Sequence, residues 1–207
     1  MGPGAADFDG AGRSSREAFV RRAVVAGGAF IAGGFVVAGL PRLAATAPSP
    51  AQDVRILNFA LSLEYLQAAF YTEAAEAGEL EGELRQFAHV VGKHERAHVA
   101  FLRRALGRKA GAKPTFEFGE ATTNPDKFLA SAYLLEETGV AAYIGQAAHL
   151  TKRVMVPAAT IVSVEARHAA WIRDILGRNP APTAADAAKS ADEVVAAIRE
   201  TGFVTSE

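Results

Sequence analysis

The sequence predicts an all-α fold, a bundle of four long helices made from two helical hairpins joined by a long middle crossover, with a short fifth helix at the C-terminus. Alanine dominates the apolar residues and runs of β-branched residues are few, which favours helix over strand. Four long stretches have helical periodicity, and the links between them are short, long and short. A short link pairs neighbouring helices antiparallel, whereas a long link can cross the length of a bundle.

Each predicted helix is bounded by residues that favour helix ends. Asn124 before Pro125 has the form of an N-cap followed by proline in the first turn. Residues 190–193 have the form of a capping box. The predicted helices span about 53–77, with Asp53 as N-cap, about 83–106, about 125–150, and a fourth that Pro157 opens and Gly177 closes, followed by a short helix after Ser190.

The first 47 residues are predicted to be a targeting segment. Arg21 and Arg22 come directly before a weakly apolar stretch, 23–40, and small residues follow at 45–47. This order is typical of an export signal, and the arginine pair resembles a twin-arginine signal read by export machinery. The alternative is an uncleaved membrane anchor through 23–40, because about 18 apolar residues just span a bilayer. Both interpretations predict an exported protein, in the periplasm, the cell envelope or the extracellular space. The predicted organisation is 1–47 for targeting, 48–177 for the bundle, and 178–207 for a linker and the short helix.

Charge and composition exclude several classes of function. The chain has 22 basic and 23 acidic residues, and no basic patch is interleaved with aromatic residues, so nucleic acid is not an expected partner. The sequence contains no cysteine, which removes disulfides, zinc-thiolate sites, iron–sulfur clusters and cysteine nucleophiles together. Carboxylate and imidazole groups therefore remain as the strong metal ligands. Nothing in the sequence sets an oligomeric state.

Two Glu-x-x-His motifs carry the candidate chemistry. They lie at 95–98 in the second helix and at 165–168 in the fourth. Residues three apart share a helix face, so each motif directs a carboxylate and an imidazole the same way. The first and third helices each contain a glutamate followed seven residues later by a tyrosine, two turns on along the same face. These pairs are Glu64 with Tyr71 and Glu136 with Tyr143.

The spacing along the chain predicts that these groups meet. Facing residues of an antiparallel hairpin are equidistant from its turn, and the midpoint between Glu64 and Glu95 falls in the glycine break at 78–82. The second hairpin repeats the arrangement, since its single glutamate lies level with the motif of the fourth helix. The two hairpins therefore look like repeats related by a pseudo-twofold axis.

The candidate carboxylates lie in apolar stripes with helical spacing, which predicts that they face the core. An unpaired buried carboxylate costs several kcal/mol, so four of them need compensation, which two divalent cations would supply. Carboxylate and imidazole together suit iron, manganese or zinc. The alternative is pairing with nearby arginines, but helical spacing directs Arg96 and Arg167 away from the motif face. The predicted metal ligands are Glu64, Glu95, His98, Glu136, Glu165 and His168, with the adjacent Glu137 as an alternate.

This pattern resembles the ferritin-like di-iron carboxylate superfamily. The segments 61–71, 113–119, 138–143 and 165–171 look more narrowly like the exported bacterial ferritin-like domain family, which is related to desiccation-associated proteins. The resemblance covers about residues 50–204 and implies a ferritin-like bundle holding two iron ions with the ligands above. On that basis Glu95 and Glu165 would bridge the ions, which would react with dioxygen or peroxide in a ferroxidase- or peroxidase-like oxidation.

Two other functions are compatible with the same residues. The protein could be a stress-protection or binding module in which metal is structural or absent. Residues 94–98 also form an H-E-x-x-H string, as in zinc peptidases, although that interpretation leaves the motif of the fourth helix unexplained. In the di-metal interpretation, His94 is a residue behind the ligands or on the surface, and Tyr71 and Tyr143 hydrogen-bond ligating carboxylates, relay electrons or pack in the core.

Overall fold

The structure is a computed structural model that describes residues 47–206. Its α-helices are α1 Pro50–Ala77, α2 Gly82–Leu106, α3 Pro125–Ala147, α4 Lys152–Ile175 and α5 Ala191–Thr201. Helices α1 and α2 form one hairpin and α3 and α4 the other, and the crossover 107–124 joins them. The predicted all-α bundle, with its two hairpins, long crossover and short last helix, is confirmed.

The crossover is held to the C-terminus by a short antiparallel ladder that the sequence did not predict. Strand β1, Thr115–Phe116, pairs with β2, Val204–Ser206. The strands are only two and three residues long, too short for alternation to be recognised in the sequence. The ladder fixes the middle of the crossover in place, and Phe118 and Phe203 pack edge to face in the core beside it.

The prediction that Asp53 is the N-cap of α1 is wrong. Ser49 caps the helix, its Oγ accepting a hydrogen bond from the Gln52 backbone N–H, and Asp53 lies in the first turn. The Asp53 carboxylate instead accepts bonds from the backbone N–H and the hydroxyl of Thr151, at 2.9 and 2.6 Å. Asp53 therefore fixes the beginning of the second hairpin's last helix against the first turn of α1.

The contact between Asp53 and Thr151 also explains why α4 begins earlier than predicted. Helix α4 begins at Lys152, not at Pro157, and Pro157 lies inside it. Proline lacks the N–H that an interior helical residue donates, so it normally marks a helix start. Here Thr151 is the N-cap residue and its bonds to Asp53 anchor the first turn, so the helix forms across the proline. Helix α3 also ends at Ala147, three residues before the predicted end.

The apolar core contains three clusters of buried side chains among the described residues. The largest cluster contains the stacked and edge-to-face rings of Phe70, Phe87 and Phe128. A second cluster includes Leu61, Leu102 and Ile161. The candidate ligands lie among these residues, in a part of the bundle that the apolar side chains shield from water.

The predicted targeting residues Arg21 and Arg22, and the apolar stretch 23–40, lie outside the described residues. Within 47–206, no helix has both the length and the apolar character needed to cross a membrane.

Candidate metal centre

Six side chains converge in the middle of the bundle, each from the helix face that its spacing predicts. The four carboxylates are almost fully buried, with exposures of 1% for Glu64 and 0% for the other three, and the two imidazoles are 8% and 3% exposed. The contributing residues are Glu64 of α1, Glu95 and His98 of α2, Glu136 of α3, and Glu165 and His168 of α4.

These six side chains form two overlapping donor groups. The first contains Glu64, Glu95, His98 and Glu165, and the second contains Glu95, Glu136, Glu165 and His168. In each group one ligand atom per residue lies within 4.8 Å of all the others. Glu95 and Glu165 belong to both groups, so each could bridge two ions.

The distances around each histidine locate the two positions. His98 Nδ1 lies 3.1 Å from Glu165 Oε1, 3.2 Å from Glu64 Oε2 and 3.3 Å from Glu95 Oε2. His168 Nδ1 lies 3.1 Å from Glu95 Oε1 and 3.3 Å from Glu136 Oε2. The two oxygens of Glu95 therefore face different histidines, which is the arrangement a bridging carboxylate needs.

The donor atoms fit around small divalent cations. An ion with ligands at about 2.1 Å in octahedral geometry has neighbouring donors about 3.0 Å apart, close to the separations at both histidines. Several inward-facing atoms also make no well-oriented hydrogen bond within the described residues, although some of them lie at ion-pair distance from an atom of the same cluster. These are Oε1 of Glu95, Oε2 of Glu136, both oxygens of Glu165 and Nδ1 of His168. Buried polar atoms without partners are rare and costly. This buried acidic and histidine cluster is compatible with a metal-binding site.

Without a cation, the carboxylates and imidazoles hold protons among themselves. Burial, followed by the charge of Glu95, raises the pKa of Glu64 to about 8. Burial also raises the pKa of Glu165, with the charge of Glu64 adding to it. Burial alone would lower the pKa of His98, but the carboxylates around it outweigh burial and raise the value to about 12. The same balance raises the pKa of His168 to about 10. The cluster therefore attracts positive charge, as protons or as metal.

Two tyrosines donate hydrogen bonds to Glu64 and Glu136, the two outer carboxylates that each belong to one donor group. Tyr71 of α1 donates a 2.5 Å hydrogen bond to Glu136 Oε1 on α3, and Tyr143 of α3 donates a 2.6 Å bond to Glu64 Oε1 on α1. Each tyrosine thus holds the glutamate of the opposite hairpin, whereas the seven-residue spacing links it only with the glutamate of its own helix. Burial, then the nearby carboxylates, raises both tyrosine pKa values well above the ordinary value, so both hydroxyls remain donors.

Gln67 is a contact that sequence reasoning missed. Its Nε2 donates a 3.1 Å bond to Glu136 Oε1, the oxygen that also accepts the bond from Tyr71.

Sequence reasoning also missed Gly139, because a single glycine in a helix has no distinctive signal. A Cβ at Gly139 would lie 3.0 Å from Glu165 Oε2, so the glycine leaves room for that carboxylate.

His94 lies behind the second group. Its Nδ1 is 2.9 Å from Nε2 of His168, and the planes of the two rings are nearly parallel, with an angle of 11° between them. Burial, then the charges of His168 and His98, lowers the pKa of His94, which favours the neutral ring. His94 belongs to neither of the donor groups within 47–206, although a zinc peptidase would use both histidines of the string as ligands.

Glu137 and the nearby arginines point elsewhere. Arg173 Nη2 donates to Glu137 Oε2 at 2.6 Å, and Glu137 belongs to neither donor group of the described residues. Arg96 Nη1 donates to the Thr72 hydroxyl, away from the cluster. Every ion-pair contact of the four clustered carboxylates within 47–206 is to a histidine. Pairing with arginine therefore does not account for the buried charge.

The chain matches a known protein family. The family model described as a ferritin-like domain matches residues 52–178, which contain all six clustered side chains. No curated protein matches the chain.

Proposed function

The chain belongs to the ferritin-like domain family, and on that premise we propose that it is an exported redox protein with a di-iron carboxylate centre. The observation that carries the proposal is the position of Glu95, whose two oxygens face the two histidines. Two adjacent cations would explain why this carboxylate lies between two histidines, and would offset the negative charge that it and the three other carboxylates bury. Imidazole and carboxylate donors suit iron, with manganese and zinc as the other candidates.

The protein's own residues would hold and shape this centre. Glu64 and His98 would complete one position and Glu136 and His168 the other, with Glu95 and Glu165 shared. Each group offers four side chains, fewer than the six donors of an octahedral ion, which leaves room for a small oxygen-containing substrate. The chemistry that iron supplies when bound is electron transfer to dioxygen or peroxide. The surrounding apolar clusters keep bulk water from the site, and the two tyrosines orient the outer carboxylates.

Metal analysis of natively purified protein tests the proposal. We expect two metal ions per chain by mass spectrometry, and a change in the absorption spectrum when ferrous iron and then air are added to metal-free protein. Stoichiometric iron without turnover would instead favour a stress-protection or binding module with a structural metal. Absence of metal, together with unchanged stability of the Glu95→Ala variant, would contradict both metal functions.

Removing either tyrosine hydroxyl is expected to weaken one metal position selectively. Partners of ligating groups typically contribute 10–100-fold to metal affinity. Tyr143→Phe releases Glu64 and should weaken the position at His98 by about 10–100-fold, and Tyr71→Phe should weaken the other position. Isothermal titration with manganese measures both affinities. Tyr65→Phe is the matched control, since Tyr65 is buried in α1 and contacts the apolar cluster; an equal loss in this control would contradict the assignment.

We also propose export by the twin-arginine route, on the basis of residues 21–40. Replacing both Arg21 and Arg22 by lysine preserves charge and is expected to abolish export, leaving the protein in the cytoplasmic fraction. Immunoblotting of cell fractions measures the distribution, with Arg16→Lys as the control substitution. Unchanged export of the double variant would contradict this route.

A further inference from the structure

The two ligand histidines differ in what lies behind them. Nε2 of His168, the nitrogen directed away from the carboxylates, is 2.9 Å from Nδ1 of His94. For His98, each hydrogen bond to another residue within 47–206 is made through Nδ1. His98 is also the more exposed of the two, with 11% of its side chain accessible against 4% for His168.

The pseudo-twofold repeat explains why the difference exists. His94 stands directly before Glu95 in the motif of α2, and Val164 stands directly before Glu165 in the motif of α4. The repeat makes these two positions equivalent. A histidine ring can accept a hydrogen bond from the facing imidazole, whereas a valine side chain offers no acceptor. The ligand sets of the two positions match in kind, and this pair of residues breaks the symmetry.

A hydrogen-bond acceptor behind a ligand histidine changes how the histidine binds metal. If Nδ1 of His168 binds the ion, its Nε2 carries the proton and donates to His94 Nδ1. That bond selects the metal-binding tautomer and holds the ring in the orientation that faces Glu95 and Glu136. Such partners are typically worth 10–100-fold in metal affinity.

We propose that the two metal positions are unequal, and that His94 is a positioning residue that makes the position at His168 the tighter one. This inference rests on the proposed di-metal function. It assigns a role to the first histidine of the H-E-x-x-H string that requires no contact between His94 and metal. It also predicts that the position at His98, for which no other residue of 47–206 supplies such a partner and which lies nearer to solvent, fills second and exchanges its ion faster.

Cobalt titration of the full chain tests the proposal, because bound Co²⁺ can be followed by its visible absorption. We expect two affinities that differ by about 10–100-fold. Variants that keep only one metal position show which affinity belongs to which position. Glu64→Ala removes a ligand that belongs only to the first group, and Glu136→Ala removes one that belongs only to the second. Adding His94→Val should lower the remaining affinity by about 10–100-fold in the Glu64→Ala background and leave it unchanged in the Glu136→Ala background.

Two further variants separate positioning from simple structural support. His94→Asn retains a side-chain acceptor and should restore most of the affinity that His94→Val loses. Val164→Ala changes the equivalent position of the other motif and should alter neither affinity. Equal cobalt affinities in the unmodified chain, or equal losses from His94→Val in both backgrounds, would overturn the inference while leaving the di-metal function intact. Failure of the unmodified chain to bind cobalt, manganese or iron would instead overturn the proposed function itself.

Discussion

Replacing Glu95 by alanine is expected to abolish binding of both metal ions, whereas replacing Glu64 is expected to affect chiefly one. Glu95 belongs to both donor groups and presents one oxygen to each histidine. Partners outside the ligand set already cost 10–100-fold in affinity, so loss of a shared ligand should cost more than about 100-fold at each position. Mass spectrometry after equilibrium dialysis against manganese should give close to zero ions for Glu95→Ala and about one for Glu64→Ala.

Adjacent glutamates on α3 supply a matched control for this experiment. Glu136 is fully buried in the cluster, and Glu137, one residue on, is ion-paired with Arg173. Glu136→Ala should therefore lose one ion, and Glu137→Ala should retain both with unchanged affinity. Two bound ions in Glu95→Ala, or loss of metal from Glu137→Ala alone, would contradict the assignment of ligands.

Much of this arrangement could be predicted from the sequence, because helical periodicity and antiparallel pairing are simple geometric constraints. Residues three apart share a helix face, and residues equidistant from a turn face each other. These two rules suffice to place Glu64 level with Glu95. The repeat places Glu136 level with Glu165 in the second hairpin in the same way. The structure brings all six predicted side chains together.

The features that could not be predicted depend on contacts between the hairpins. The spacing of Tyr71 relates it to Glu64 of its own helix, but the bundle directs its hydroxyl to Glu136 of the other hairpin. The choice between Glu136 and Glu137 depends on a rotation of about 100° along α3, which packing decides. The start of α4 was misplaced because Asp53, distant in sequence, anchors Thr151 ahead of the proline.

Saturating manganese is expected to raise the midpoint of thermal unfolding of the metal-free protein by roughly 15–30 °C. An ion that binds only the folded state at 1,000 times its dissociation constant adds about 4 kcal/mol, so two such ions add about 8 kcal/mol. In a domain of this size each kcal/mol corresponds to about 2–4 °C. Differential scanning calorimetry measures the shift, and a chelator should reverse it. Glu95→Ala should show almost no shift, and an equal shift in that variant would indicate that manganese acts elsewhere.

The rise in the unfolding midpoint on adding manganese is also expected to become larger from about pH 5.5 to pH 8. In the metal-free protein, the raised pKa values of Glu64 (about 8) and of the histidines (about 12 and 10) mean that the folded state binds more protons than the unfolded chain. Stability of the metal-free form therefore falls as pH rises above the ordinary pKa values of these groups, toward their raised values. Metal requires deprotonated ligands, so binding displaces those protons and strengthens as pH rises. The unfolding midpoints with and without manganese should accordingly diverge with pH, and converging midpoints would show that the cluster does not bind the ion.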